Sequence, residues 1–176
     1  MRFSRIGVAI LIAIGLSGSG SAAAEELKDF GDRWSLRGGL GLGTVVQGNI
    51  SPHTIDNELS IALGGGYTTG SGRHQFGVDL LVIATSSDPY FFPVATYRMN
   101  SDLFGPGDSM LLYGGAAVGA SVQQNRNSQT AVIGPLFGYE WYFTKFLALQ
   151  LEDQVHFETD GGMQNHLIGS VKFVFP

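Results

Sequence analysis

The chain has 176 residues, with 10 Lys and Arg against 15 Asp and Glu, a formal charge of −5, and no cysteine. The acidic balance and the lack of a Lys/Arg cluster exclude nucleic acid as a partner, because nothing is available to neutralise phosphates. The missing cysteine excludes a disulfide framework or a thiolate metal site, and the 26 glycines sit mostly within strand-like runs that they would weaken in a soluble protein.

The first 24 residues read as a cleaved secretory signal. Arg2 and Arg5 give a positive start, Ile6 to Leu16 an apolar run, and Ala22-Ala23-Ala24 a cleavage site. That run is too short for a membrane-spanning helix, which needs about 20 apolar residues. The mature chain then begins at Glu25 with a short acidic lead-in over residues 25–33, and its formal charge falls to −7 once Arg2 and Arg5 are removed. No later segment is a continuous apolar helix, so any membrane crossing must use strands.

From Trp34 onward, apolar and polar residues alternate with the period of β-strands. Strands are predicted at residues 34–46, 58–67, 74–85, 90–99, 109–123, 129–143, 146–157 and 165–175. The breaks carry turn chemistry: Thr69-Gly70-Ser71-Gly72, Ser86-Ser87-Asp88-Pro89, Phe104-Gly105-Pro106-Gly107, Asn125-Arg126-Asn127 and Asp160-Gly161-Gly162. Thr144-Lys145 is a tighter connection, and residues 47–57 make the longest predicted loop. Eight strands let both ends of residues 34–176 emerge on one side of a closed, antiparallel, up-and-down transmembrane β-barrel.

Alternation by itself does not choose between water and lipid as the outer solvent, since soluble calycin-like barrels alternate too. Aromatic placement is more informative. Trp34, Tyr67, Tyr97, Tyr139, Trp141, Phe143, Phe173 and Phe175 share the apolar parity and fall near the strand ends on the side of the termini. Tyr90, Phe91 and Phe157 fall at the opposite ends. Amphipathic rings prefer the headgroup region, and membrane barrels carry them as girdles at both interfaces.

The other parity supplies the interior. It carries Arg37, Asp79, Arg98, Glu140, Glu152 and Lys172, mixed with Gly39, Gly41, Gly43, Gly64, Gly66 and Gly138. An eight-stranded barrel is only wide enough for its own side chains. A packed interior charge network is therefore expected rather than a wide water channel. Asp153 on the lipid parity and Pro135 inside the sixth strand run against the pattern, and a β-bulge near either would accommodate it.

With these features, residues 25–176 resemble the superfamily of small outer-membrane barrels that includes OmpA transmembrane domains and OmpX-like proteins. The last strand, Leu167-Ile168-Gly169-Ser170-Val171-Lys172-Phe173-Val174-Phe175, carries much of the likeness. Members end on an aromatic residue read by the barrel assembly machinery, and here Pro176 follows Phe175. The resemblance implies a Gram-negative outer-membrane location, contact with outer-membrane lipid and lipopolysaccharide, and a structural or surface-interaction role in the envelope. A monomer without cofactor or metal is expected.

Other motifs carry less. Gly39-Leu40-Gly41-Leu42-Gly43 lacks the spacing and following helix of a phosphate loop. Asn49-Ile50-Ser51 matches a glycosylation sequon that has little meaning in a bacterial envelope. The sharper candidate is the last hairpin. With its turn centred on Gly161, His156 and His166 would lie opposite each other on the inward face, and Glu158 opposite Gln164. Two imidazoles beside a carboxylate can bind a metal or run acid–base chemistry, whereas the plain alternative is hydration or hydrogen bonding at a barrel mouth. The chain is also similar in size and strand number to the lipid A 3-O-deacylases, which place His-x-Ser on the penultimate strand. Here that triplet is His156-Phe157-Glu158, without the serine nucleophile. Deacylation and a narrow pore stand as the alternatives to the non-enzymatic reading.

Overall fold

The computed structural model describes residues 31–46, 56–84, 89–123 and 128–176. The signal sequence, most of the acidic lead-in, the loop over 47–55 and the turns over 85–88 and 124–127 lie outside the described residues. Eight strands run in order: β1 (Arg33–Val46), β2 (Asp56–Thr68), β3 (His74–Ala84), β4 (Tyr90–Asn100), β5 (Met110–Gln123), β6 (Ser128–Thr144), β7 (Leu147–Glu158) and β8 (Met163–Phe175). Each pairs antiparallel with its sequence neighbours, and β1 pairs with β8 from Trp34↔Phe175 to Val46↔Met163, closing the barrel. Every predicted strand is present, with ends shifted by at most two residues. Among the described residues no helix is long and apolar enough to cross a membrane.

Closure places Arg33, Phe175 and the β2–β3, β4–β5 and β6–β7 connections at one end, here the terminal end. The β7–β8 hairpin marks the other, the loop end. Turn chemistry sets the terminal end locally. Gly72, at φ 71°, donates its N–H to the Thr69 carbonyl, and a single 3-10 turn at Pro106–Asp108 leads into β5.

The period of two sorts side chains onto two surfaces. Outside, Leu40 is 61 % exposed, Leu63 58 % and Val78 66 %. In water such a belt of apolar side chains would be an aggregation surface; against lipid tails it costs nothing. Inside, Ala62, Leu81, Ile83, Phe92, Val94, Leu136 and Ile168 are buried together with a large set of polar groups. Trp34 packs on Tyr67 at 5.1 Å, Phe76 on Tyr97 at 5.3 Å, and Trp141 on Phe143 at 4.9 Å, all near the terminal end. Tyr90 departs from the expected rim: it shares the parity of Phe92, stacks on it at 6.3 Å, and packs against the core.

Neither residue that ran against the alternation needs a bulge. The β6–β7 ladder lapses at Gly134 and Pro135 and resumes in the same register at Leu136↔Gln154. The β4–β5 ladder does the same at Phe92 and Pro93. Each proline faces its missing N–H into one ladder gap while pairing normally on the other edge, at Ala116↔Pro135 and Leu80↔Pro93. The register shift in β6–β7 lies instead at Tyr142/Thr144, beside the tight turn. Asp153 stays on the outer parity, where Asn165 Nδ2 donates to its Oδ1 at 2.7 Å.

Glycines on the inner face make room for that packing. A Cβ on Gly138 would meet the Tyr113 hydroxyl and the Leu151 carbonyl, whereas one on the outward Gly114 would meet nothing within 4 Å. Gly138→Ala should therefore lower stability by roughly 1–3 kcal/mol through overpacking, and Gly114→Ala should leave it nearly unchanged. Urea titrations followed by the folded-to-unfolded gel shift measure both. Equal midpoints for the two variants would contradict a packed lumen.

Candidate functional site: the polar lumen

Six of the inward side chains are ionisable groups predicted to share the interior, and all are buried: Arg37, Asp79, Arg98, Glu140, Glu152 and Lys172. They form two linked groups. In the first, Arg37 makes a bidentate pair with Asp79, Nε to Oδ1 at 3.0 Å and Nη2 to Oδ2 at 2.6 Å. Arg98 bridges the same Asp79 oxygen at 2.8 Å and reaches Glu152 through Nε at 2.8 Å. Arg37 Nη1 closes the ring on Glu152 Oε1 at 2.7 Å. Two guanidiniums thus alternate with two carboxylates.

The second group centres on Glu140. Lys172 Nζ donates to both of its oxygens, at 2.7 and 2.9 Å, and the Tyr142 hydroxyl donates to Oε2 at 2.5 Å. Gln150 joins the groups: its Oε1 accepts from Arg37 Nη1 at 2.9 Å, and its Nε2 donates to Tyr113 at 2.8 Å and Glu140 at 3.2 Å. Three cations face three anions, so the network is neutral. Each charge is satisfied by fork-shaped or multiple donors, the arrangement a low-dielectric interior requires. Tyr113, Gln150, Gln75, Thr96 and Tyr142 were not singled out from sequence. Their only signal was the inward parity of polar residues beside the charges.

Toward the loop end the lumen changes character. The β7–β8 hairpin closes with Glu158 N–H on the Gly162 carbonyl, and Gly161 at φ 94° ends a three-residue loop. The loop therefore centres on Asp160 rather than Gly161. Its register sets His156 opposite Gln164 and His166 opposite Gln154, which corrects the expected His156–His166 and Glu158–Gln164 cross-strand pairs. The two histidines meet diagonally, with ring centroids 5.2 Å apart and planes at 52°. Phe92 abuts both, edge-on to His166 at 5.0 Å and tilted to His156 at 5.9 Å. Glu158 is not in contact with either imidazole; its Oε1 accepts from Gln164 Nε2 at 2.7 Å.

A serine does meet one of these histidines, though not in the predicted triplet. Ser60 Oγ lies 3.3 Å from His166 Nδ1. The pair differs from a hydrolytic site in two respects. Both residues are fully buried in the lumen, away from the lipid face where an acyl chain would lie. The other nitrogen, His166 Nε2, has no hydrogen-bond partner, whereas a catalytic base is oriented through that atom by a third group. Among the described residues no set of three or more His, Cys, Asp or Glu is grouped to hold a metal.

The chain matches no protein-family model and no curated protein sequence. Solved structures do match. Neisserial surface protein A is 14 % identical, with a TM-score of 0.65 over 81 % of this chain and 97 % of that one. Ail, the attachment invasion locus protein of Yersinia pestis, is 11 % identical with a TM-score of 0.58, covering 82 % of this chain and 99 % of that one. The N-terminal β-barrel domain of Pseudomonas aeruginosa OprF is 13 % identical with a TM-score of 0.52, over 82 % and 98 % of the two chains. A further Ail structure holds the heparin analogue sucrose octasulfate. At these identities the likeness is one of fold: this chain has the architecture of the small eight-stranded outer-membrane barrels.

Proposed function

We infer that this protein is a non-enzymatic, monomeric barrel of the bacterial outer membrane, with a structural or surface-interaction role in the envelope. In this reading residues 1–24 are removed on export, and the barrel assembly machinery inserts residues 34–176 among lipid and lipopolysaccharide. The observation that carries it is the pairing of a neutral, mutually paired ion network inside with a largely apolar exterior. The exterior suits hydrocarbon. Among the described residues, the six buried charges of the lumen are engaged with one another, which favours a sealed interior over a conducting pore.

Deacylation is disfavoured by the chemistry of the loop end. The penultimate strand offers His156-Phe157-Glu158 without a hydroxyl, and Ser60 and His166 face each other inside the barrel rather than toward an acyl chain. Binding of a polyanion, as in the Ail complex, is also poorly matched. The described inward and hairpin positions of the loop end carry Glu58, Glu158 and Asp160, while every described Lys and Arg lies in the terminal half.

Planar-bilayer recordings test the sealed lumen. Purified protein should insert without steady conductance steps at moderate voltage, and a reproducible open level would replace this reading by the pore. Mass spectrometry of lipid A from cells with and without the protein tests the enzyme. Unchanged acylation is expected, and loss of one acyl chain would overturn the non-enzymatic assignment.

A further inference from the structure

The buried side-chain atoms without a hydrogen-bond partner in the loop-end half of the lumen include His156 Nδ1, His166 Nε2 and Gln164 Oε1. Their chemical state follows from the ion network below them. Glu152, paired with Arg37 and Arg98, is a carboxylate and can only accept. The Gln154 amide nitrogen 2.6 Å from it must therefore be the donor, which points Gln154 Oε1 at His156 Nε2, 3.1 Å away. A carbonyl oxygen can only accept, so Nε2 carries a proton, and in the neutral imidazole Nδ1 then presents a bare lone pair. The same holds for Gln164, whose Nε2 is committed to Glu158 and whose Oε1 is left over. For His166, Ser60 can accept the Nδ1 proton at 3.3 Å, leaving a second bare lone pair on Nε2.

A metal-binding imidazole characteristically donates its other N–H to an oxygen acceptor that fixes its tautomer. His156 has this through the Gln154–Glu152–arginine chain, and His166 through Ser60. The ring separation agrees. Two imidazoles on one tetrahedral cation, with bonds of about 2.0 Å, set their centroids roughly 5 Å apart, against 5.2 Å here. Phe92 packs against both rings. Inward-parity Glu58 and Glu158 at the loop end supply a negative approach, and no described Lys or Arg lies there to oppose a cation.

We propose that His156, His166 and Gln164 form a binding site for a divalent transition-metal cation of the Zn2+ and Cu2+ type in the loop-end half of the barrel. Hard cations such as Mg2+, which prefer six oxygen ligands, are excluded by the two-nitrogen donor set. The site goes beyond the envelope role inferred above and does not depend on it.

Isothermal titration of the tag-free, refolded full-length barrel in detergent with ZnCl2 provides the test. One Zn2+ per barrel is expected, with no heat from MgCl2. His156→Asn and His166→Asn should each weaken Zn2+ binding at least tenfold while keeping the folded gel band. Binding absent from the unaltered protein, or unchanged in both variants, would overturn the site. Where a variant does not refold, electron paramagnetic resonance of Cu2+ bound to the unaltered protein decides. Coupling to two imidazole nitrogens is the expected result, and coupling to one or none refutes the proposal.

Discussion

Glu152→Met should destabilise the barrel by about 3–5 kcal/mol, the usual consequence of removing one partner from a buried ion pair. Glu152 is fully buried and receives Arg37 Nη1, Arg98 Nε and Gln154 Nε2. Its loss leaves two guanidiniums sharing Asp79 alone, and one positive charge is then uncompensated in a low-dielectric space. The double variant Arg98→Met/Glu152→Met restores neutrality, because Arg37 and Asp79 keep their bidentate pair. Replacing both members of a buried pair by apolar groups is often close to neutral. The double variant should therefore recover more than half of the single variant's loss, a coupling that a double-mutant cycle measures directly. Urea unfolding of the barrel in detergent or bilayer supplies the four free energies. Additive losses would mean that Arg98 and Glu152 do not interact, and the ring of charges would have to be redrawn.

A second large effect is expected on the outside. Leu40 lies at the middle of β1 and faces away from the lumen, 61 % exposed. In a bilayer Leu40→Arg should cost roughly 2–4 kcal/mol, the range for a basic side chain at the midplane of a membrane barrel. Trp34→Arg, at the terminal rim of the same strand and the same face, should cost only about 0–1 kcal/mol in position-dependent penalty, apart from the lost packing on Tyr67. In water the order would be reversed or flat, since an exposed arginine is well hydrated at either height. Unfolding in lipid vesicles distinguishes the two. A Leu40→Arg variant as stable as the original protein would show that this face does not meet hydrocarbon.

The two experiments probe different sides of one wall, and their combination bears on function. A barrel stabilised by lipid outside and by paired charges inside has little freedom to open without breaking several buried bonds together. Such an interior suits a scaffold that presents its loop end. It also gives Gln154 a fixed orientation, because the arginines hold Glu152, Glu152 holds Gln154, and Gln154 sets the tautomer of His156. The ion network and His156 are thus parts of one hydrogen-bonded column along the lumen, and His166 packs against its upper end.

Much of this was legible in the amino-acid sequence because strand periodicity is local. Alternation of residue type assigned each of Arg37, Asp79, Arg98, Glu140, Glu152 and Lys172 to one face and each of Trp34, Tyr97 and Phe173 to the other, whatever the neighbouring strands. Turn residues such as Gly72 and Gly161 marked the connections, and an even number of strands placed both ends of the barrel together. Local sequence patterns cannot reach across a lumen. That Arg37 meets Asp79, 42 residues away, and Arg98 meets Glu152, 54 residues away, depends on the stagger between strands, which sets the height of every inward side chain. The same stagger and the three-residue turn around Asp160 shifted His156 from His166 to Gln164 as its cross-strand partner, and brought Ser60 and Phe92 to the histidines from β2 and β4. Pro135 needed no bulge for a reason equally hidden in one strand: its missing N–H falls in a gap of the β6–β7 ladder. Sequence determined the faces, the order of the strands and the placement of the aromatic rims; only closure of the barrel decided the partners.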